Sequence, residues 1–125
     1  MKREDKCSCC EGPKLIFACS GASDVGEIAD HAARKLSKKG DAKMFCAAGI
    51  GGGISGIVKT TESADKILAI DGCPLSCVKS IFEKAGFKNF MHLQLAEIGL
   101  SKGNSPVTDK NVDKVTAKAD EMMSS

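Results

Sequence analysis

Tryptophan and tyrosine are absent from the 125 residues, and five phenylalanines supply the whole 4% aromatic content. Single-stranded nucleic acid is bound on aromatic rings interleaved with basic side chains. No such pattern occurs here, so nucleic-acid binding is not expected. An excess of one charge is also missing: 18 Lys and Arg against 16 Asp and Glu leave a net +2, too little for a polyanion-binding face. No apolar run approaches the ~20 residues of a membrane span, so no membrane partner is expected. The first residues, MKREDKCSCCEGPK, are charged and lack the apolar stretch of a secretory signal. They point to a cytoplasmic location.

Cysteine, by contrast, occurs seven times. In a reducing compartment disulfides rarely persist. An odd number of thiols there points to a metal site or a redox centre rather than to covalent staples. Cys7, Cys9 and Cys10 fall in residues 1–13, which read as a flexible tail ahead of one domain spanning 14–125. The 42% apolar content is enough for that domain to bury a core.

Patterning predicts an alternation of strands and helices. KLIFAC, residues 14–19, is a short apolar run suited to a buried strand. A helix follows over 23–39, with Val25, Ile28, Ala29, Ala32, Ala33 and Leu36 on one face, acids in its first turn, lysines in its last, and Gly40 as its stop. KMFCAAG, 43–49, reads as a second strand, and a short helix is expected over 54–64. KILAIDG, 66–72, is a third strand. Pro74 then reads as the first residue of a helix that Gly86 ends. NFMHLQLAEIG, 89–99, alternates as an edge strand does, with Met91, Leu93 and Leu95 on one side and His92 and Gln94 on the other. A final helix is expected over 108–123. The order β-α-β-α-β-α-β-α predicts an α/β three-layer sandwich. Its mostly parallel, Rossmann-like sheet has four strands in the order 2-1-3-4, with helices on both faces.

Four cysteines then share one place. Cys19 ends the first strand, Cys46 lies near the end of the second, Cys73 follows the third, and Cys77 lies in the first turn of the next helix. In an open parallel sheet these positions meet at the C-terminal edge, where strand order reverses and ligands bind. Cys73 is expected to cap the helix, whose free N–H groups would favour a thiolate. Four thiols in tetrahedral arrangement suit Zn²⁺, with an iron–sulfur cluster as the alternative. The spacing C-x26-C-x26-C-x3-C matches no zinc-ribbon pattern, so this reading rests on topology.

These segments, ACSGASDVGEIADHAARKL (18–36), MFCAAGIGGGISGIV (44–58) and DKILAIDGCPLSC (65–77), resemble the DGC-domain family of small prokaryotic proteins, named for the motif Asp71-Gly72-Cys73. The resemblance covers nearly all of the chain from residue 14. It implies a zinc site on four characteristic cysteines, which correspond to Cys19, Cys46, Cys73 and Cys77. It implies no particular reaction.

Other readings compete for the same residues. A thiol-redox enzyme, or one handling sulfur or a soft anion, would use the same cysteines, although C-x3-C is not the thioredoxin-type C-x-x-C. Such a crevice would admit a small anionic or thiol ligand. Gly51, Gly52 and Gly53 begin a G-x-G-x-x-G match that runs to Gly56, with Asp71 twenty residues past Gly51. They are candidates for backbone contacts to an anion or, less favoured, to a dinucleotide. His31 and His92 read as solvated. Asp71 reads as a loop-fixing acceptor, and Ser20 and Ser23 as helix caps.

Overall fold

Strands covered on both faces have continuous apolar runs rather than alternation, and the two central ones here carry such runs in LIFA and ILAI. In the computed structural model, which describes residues 12–40 and 42–124, β1 is Lys14–Ala18 and β3 is Lys66–Asp71. They pair in parallel from Lys14↔Lys66 to Ala18↔Ile70. β2, Lys43–Met44, flanks β1 and β4, Met91–Gln94, flanks β3, both in parallel, giving the order β2-β1-β3-β4. The expected strand order and layering are therefore found. Cys7, Cys9 and Cys10 lie outside the described residues.

Alternate strand residues feed two cores. Ile16, Ala18, Leu68, Ile70 and Leu93 pack with α1, Asp24–Lys39, and α5, Asp109–Ser124, on one face. Leu15, Phe17, Ile67 and Ala69 face the other side, where α2, Ala47–Gly51, α3, Ser55–Glu62, and α4, Cys77–Lys84, cover them. α1 has the caps that its sequence calls for. Ser23 accepts from the Gly26 N–H, and Gly40 closes the helix at φ 93°, a conformation that favours glycine. α5 lies on α1, and Lys35–Asp113 and Lys39–Asp120 pairs join the two helices at the surface. Among the described residues no helix is long and apolar enough to cross a membrane.

Three expectations change in detail. The second strand stops at Met44, with only the Phe45 N–H to Ile16 carbonyl bond beyond it, and Cys46 then starts α2. Ala47 and Ala48 favour helix over strand, and an edge strand needs few residues to complete the sheet. The fourth strand ends at Gln94, where Leu95–Ile98 coils into a 3-10 turn closed by Gly99. The helix expected from Pro74 starts instead at Cys77, after a turn in which the Ser76 N–H donates to the Cys73 carbonyl. Pro74 holds the second position of that turn, a place its fixed φ suits as well as it suits a helix start.

All five phenylalanines gather on the α4 face. Phe82 packs edge-on to Phe17 at 4.8 Å between centroids and to Phe87 at 5.3 Å. It stacks on Phe90 at 5.1 Å, and Phe45 meets Phe17 edge-on at 5.9 Å. These are favoured aromatic geometries, and they account for the aromatic content as core. Phe82→Ala should cost about 3–5 kcal/mol of stability in urea unfolding. Truncating Phe90, at the edge of the cluster, should cost less.

Candidate functional site

The last residues of β3 build the site. Asp71 is 1% exposed, and its carboxylate accepts from the Val78 N–H at 2.8 Å and the Lys79 N–H at 3.0 Å. His92 Nε2 lies 2.8 Å from the same carboxylate. Asp71 therefore caps α4, an acceptor role that it holds toward the helix after Cys73 rather than toward the loop before it. Gly72 comes next because nothing larger fits: a Cβ there would lie 2.5 Å from the Val25 carbonyl carbon and 2.6 Å from its oxygen. This lets the start of α1 press against the end of β3. Cys73 is 9% exposed and packs with the core of the α1 face.

The turn after Cys73 is held from β4. Ser76 takes the left-handed conformation at φ 53°, costly for a residue other than glycine. Its hydroxyl accepts from Gln94 Nε2 at 2.8 Å, and the same nitrogen lies 3.3 Å from the Cys73 carbonyl. His92 and Gln94 stand on the polar side of β4 as the alternation predicts. That side meets the start of α4, however, and is only partly exposed. The sequence reading missed both roles. The available signal was register, since Gln94 pairs with Asp71 across the sheet.

Cys19, Cys46 and Cys77 all line one cavity of about 860 Å³ at the C-terminal edge of the sheet. Cys46 and Cys77 are exposed and Cys19 is half-buried; all four thiols, Cys73 included, are unbridged. Cys73 does not line the cavity but lies near enough to Cys77 to act on its charge. Burial pushes the Cys77 thiol up, as do the neighbouring acids Cys19, Asp71 and Cys73; Lys102 partly offsets them. The expected capping of α4 by Cys73 is not found. Asp71 already takes the Val78 and Lys79 N–H groups, so these two do not serve the thiols. Among the described residues no three His, Cys, Asp or Glu side chains are grouped closely enough to hold a metal ion. The thiols converge without being closed around a centre.

Gly51, Gly52 and Gly53 line a separate hollow of about 670 Å³. The Gly52, Gly53 and Ile54 N–H groups donate to the Ala48, Ile50 and Gly49 carbonyls, so the chain's own turn engages them. Two of the glycines here have local causes: a Cβ at Gly49 would lie 2.3 Å from the Ile57 side chain, and Gly53 sits at φ 69°. His31 is exposed, 3.6 Å from Glu27. Ser23 caps α1 as expected, whereas Ser20 donates to Asp30 at 2.8 Å.

The family model described as DGC domain matches residues 15–119. The chain belongs to the DGC domain family. The DGC motif itself thus has a physical reading here: Asp71 caps α4, Gly72 admits α1, and Cys73 begins the held turn. The DGC chain is also similar to the protein of Pseudomonas aeruginosa named anaerobic and virulence modulator AnvM. The two are 42% identical over 88 residues, which is 70% of this chain and 67% of that protein. No solved structure matches.

Two tests address this frame. Gly72→Ala should destabilise by about 1–3 kcal/mol, the cost of overpacking, and should raise the alkylation rate of Cys73; a neutral effect would refute the close-approach argument. Asp24 holds the neighbouring loop by accepting from the Gly103 and Ser105 N–H groups, which, despite some desolvation, keeps its carboxyl below the usual aspartate range. A carboxyl lowered by folding contributes stability above its unfolded pKa and loses that contribution as pH falls through its folded value. Asp24→Asn should therefore lower the melting temperature at neutral pH, and the difference should shrink as the buffer is acidified.

Proposed function

We propose that this DGC protein is a small regulatory protein acting through a metal held by cysteine, one Zn²⁺ on Cys19, Cys46, Cys73 and Cys77. The observation that carries the reading is the meeting of three thiols from three separate segments in one cavity, with the fourth, Cys73, buried four residues before Cys77. The donor set has the chemistry for it: four soft, ionisable ligands in the combination that tetrahedral Zn²⁺ takes. A divalent cation would also offset the mutual repulsion of adjacent thiolates. Closing the set takes side-chain movement, for which the exposed Cys46 and Cys77 have room. The regulatory part of the reading rests on the relative named as a modulator.

A second reading uses the same cysteines in thiol-redox chemistry, and the openness of the cavity favours it. Metal analysis of protein purified without oxygen separates the two. Zinc near one per chain, in a colourless protein, supports the first reading; iron with sulfide would replace it with a cluster. Cys77→Ser and Cys19→Ser should each remove most of the metal, and His31→Gln none. Stoichiometric zinc retained in both cysteine variants would show that the site is elsewhere.

A further inference from the structure

The cavity has a second pole that the thiols do not explain. Arg34 and Lys38, one turn apart on α1, reach its rim. Asp30, also in the lining, accepts from Ser20 Oγ at 2.8 Å and from Arg34 Nε at 2.8 Å. That bond anchors the guanidinium by its inner nitrogen. Among the described residues nothing else pairs with Arg34, and nothing pairs with Lys38, so the two Nη groups and one ammonium remain for a ligand. The neighbouring cations of α1 differ: Lys35 and Lys39 are tied to Asp113 and Asp120 of α5. The helix thus turns one cationic face to the fold and another to the cavity. Between the poles the wall is apolar, formed by Ala18, Met44, Phe45, Val78 and Ile81.

An occupant that satisfies both ends has a soft group for the thiols, a short apolar body, and an anion for the rim. A planar fork recognises a carboxylate in two-point fashion, and sulfur is the soft group that cysteine thiols exchange with directly. We propose that the cavity binds a small carboxylate-bearing thiol and its disulfide, with sulfur toward Cys46 and Cys77 and the carboxylate on Arg34 and Lys38. With the disulfide, the Cys46 thiolate attacks one ligand sulfur. The Cys46–ligand S–S bond forms as the ligand's own S–S bond breaks, and the second half leaves with the electron pair as a thiolate that takes a proton from water. Cys46 is oxidised, the ligand disulfide is reduced, and no further oxidant is needed. The inference shares the cavity thiols with the proposed zinc site but does not require the metal.

The test compares three small disulfides on the full chain at low salt: anionic dithiodipropionate, cationic cystamine and neutral hydroxyethyl disulfide. Mixed-disulfide formation is followed by mass spectrometry with peptide mapping. The anionic reagent should modify Cys46 or Cys77 about tenfold faster than the cationic one, the scale of electrostatic steering into a charged cleft. Arg34→Gln with Lys38→Gln should abolish that preference while leaving the neutral reagent's rate unchanged. Equal rates for all three reagents, a preference that survives the double substitution, or labelling confined to Cys7, Cys9 and Cys10 would overturn the proposal. Metal measured on the same preparations reports separately on the zinc reading. Lost charge preference with zinc retained sinks this proposal alone, whereas a clear preference in metal-free protein supports it and sinks zinc.

Discussion

A buried carboxylate at the end of the central strand is the constraint on which the site depends. Burying an ionisable group is costly unless hydrogen bonds replace its water. Asp71 receives two backbone N–H groups from α4, and the His92 ring lies within hydrogen-bonding distance. These contacts fix three elements at once: the end of β3, the start of α4, and β4, which carries His92. Gly72 adds the fourth by admitting α1. Each cavity thiol then takes its place from this frame. Cys77 opens the helix that Asp71 caps, Cys19 follows β1, whose N–H at position 19 still bonds the Ile70 carbonyl, and Cys46 follows β2 on the far side of β1.

The same constraint alters the electrostatics of the thiols. A helix start can lower a thiol pKa only while its N–H groups are free to face the sulfur. Asp71 has taken those of Val78 and Lys79, and its own charge stands beside Cys77, where it acts with burial and the adjacent thiols to disfavour ionisation. Compensation must come from cations. Lys102 already acts in that direction, and it sits in the loop whose Gly103 and Ser105 N–H groups Asp24 holds. Asp24 therefore serves α1 and the thiol environment together.

Much of this was legible in the sequence, and what was not has identifiable causes. The strand order and the two cores follow from apolar runs and helical spacing, because burial on both faces leaves a strong signal in KLIFA and KILAID. The convergence of cysteines follows from topology, since a parallel sheet puts every strand end on one edge. The second strand was overextended because Cys46 to Gly49 is apolar in either conformation, and only the completed edge decides. The start of α4 was misplaced because Pro74 suits a turn and a helix start equally. The roles of His92 and Gln94 depend on partners about twenty residues away that become neighbours only once β3 and β4 are in register. The glycine motif is ambiguous for a related reason: a tight turn such as the one at Gly53 uses the same residue as a phosphate loop does.

The position of the thiols also separates function from fold. Small zinc domains that depend on metal for folding have little other core, and they unfold without it. Here two apolar clusters lie on opposite faces of the sheet, and the phenylalanine group and the α1–α5 layer need no sulfur bridge to hold them. The cavity thiols lie at the rim of that frame, and two of the three are exposed. A metal bound or lost there, or a sulfur exchanged there, would leave the sheet standing and would change the local charge beside α4 and the 101–105 loop. A fold so arranged is able to undergo a change in its thiols without being undone by it, which is what the proposed regulatory role would require.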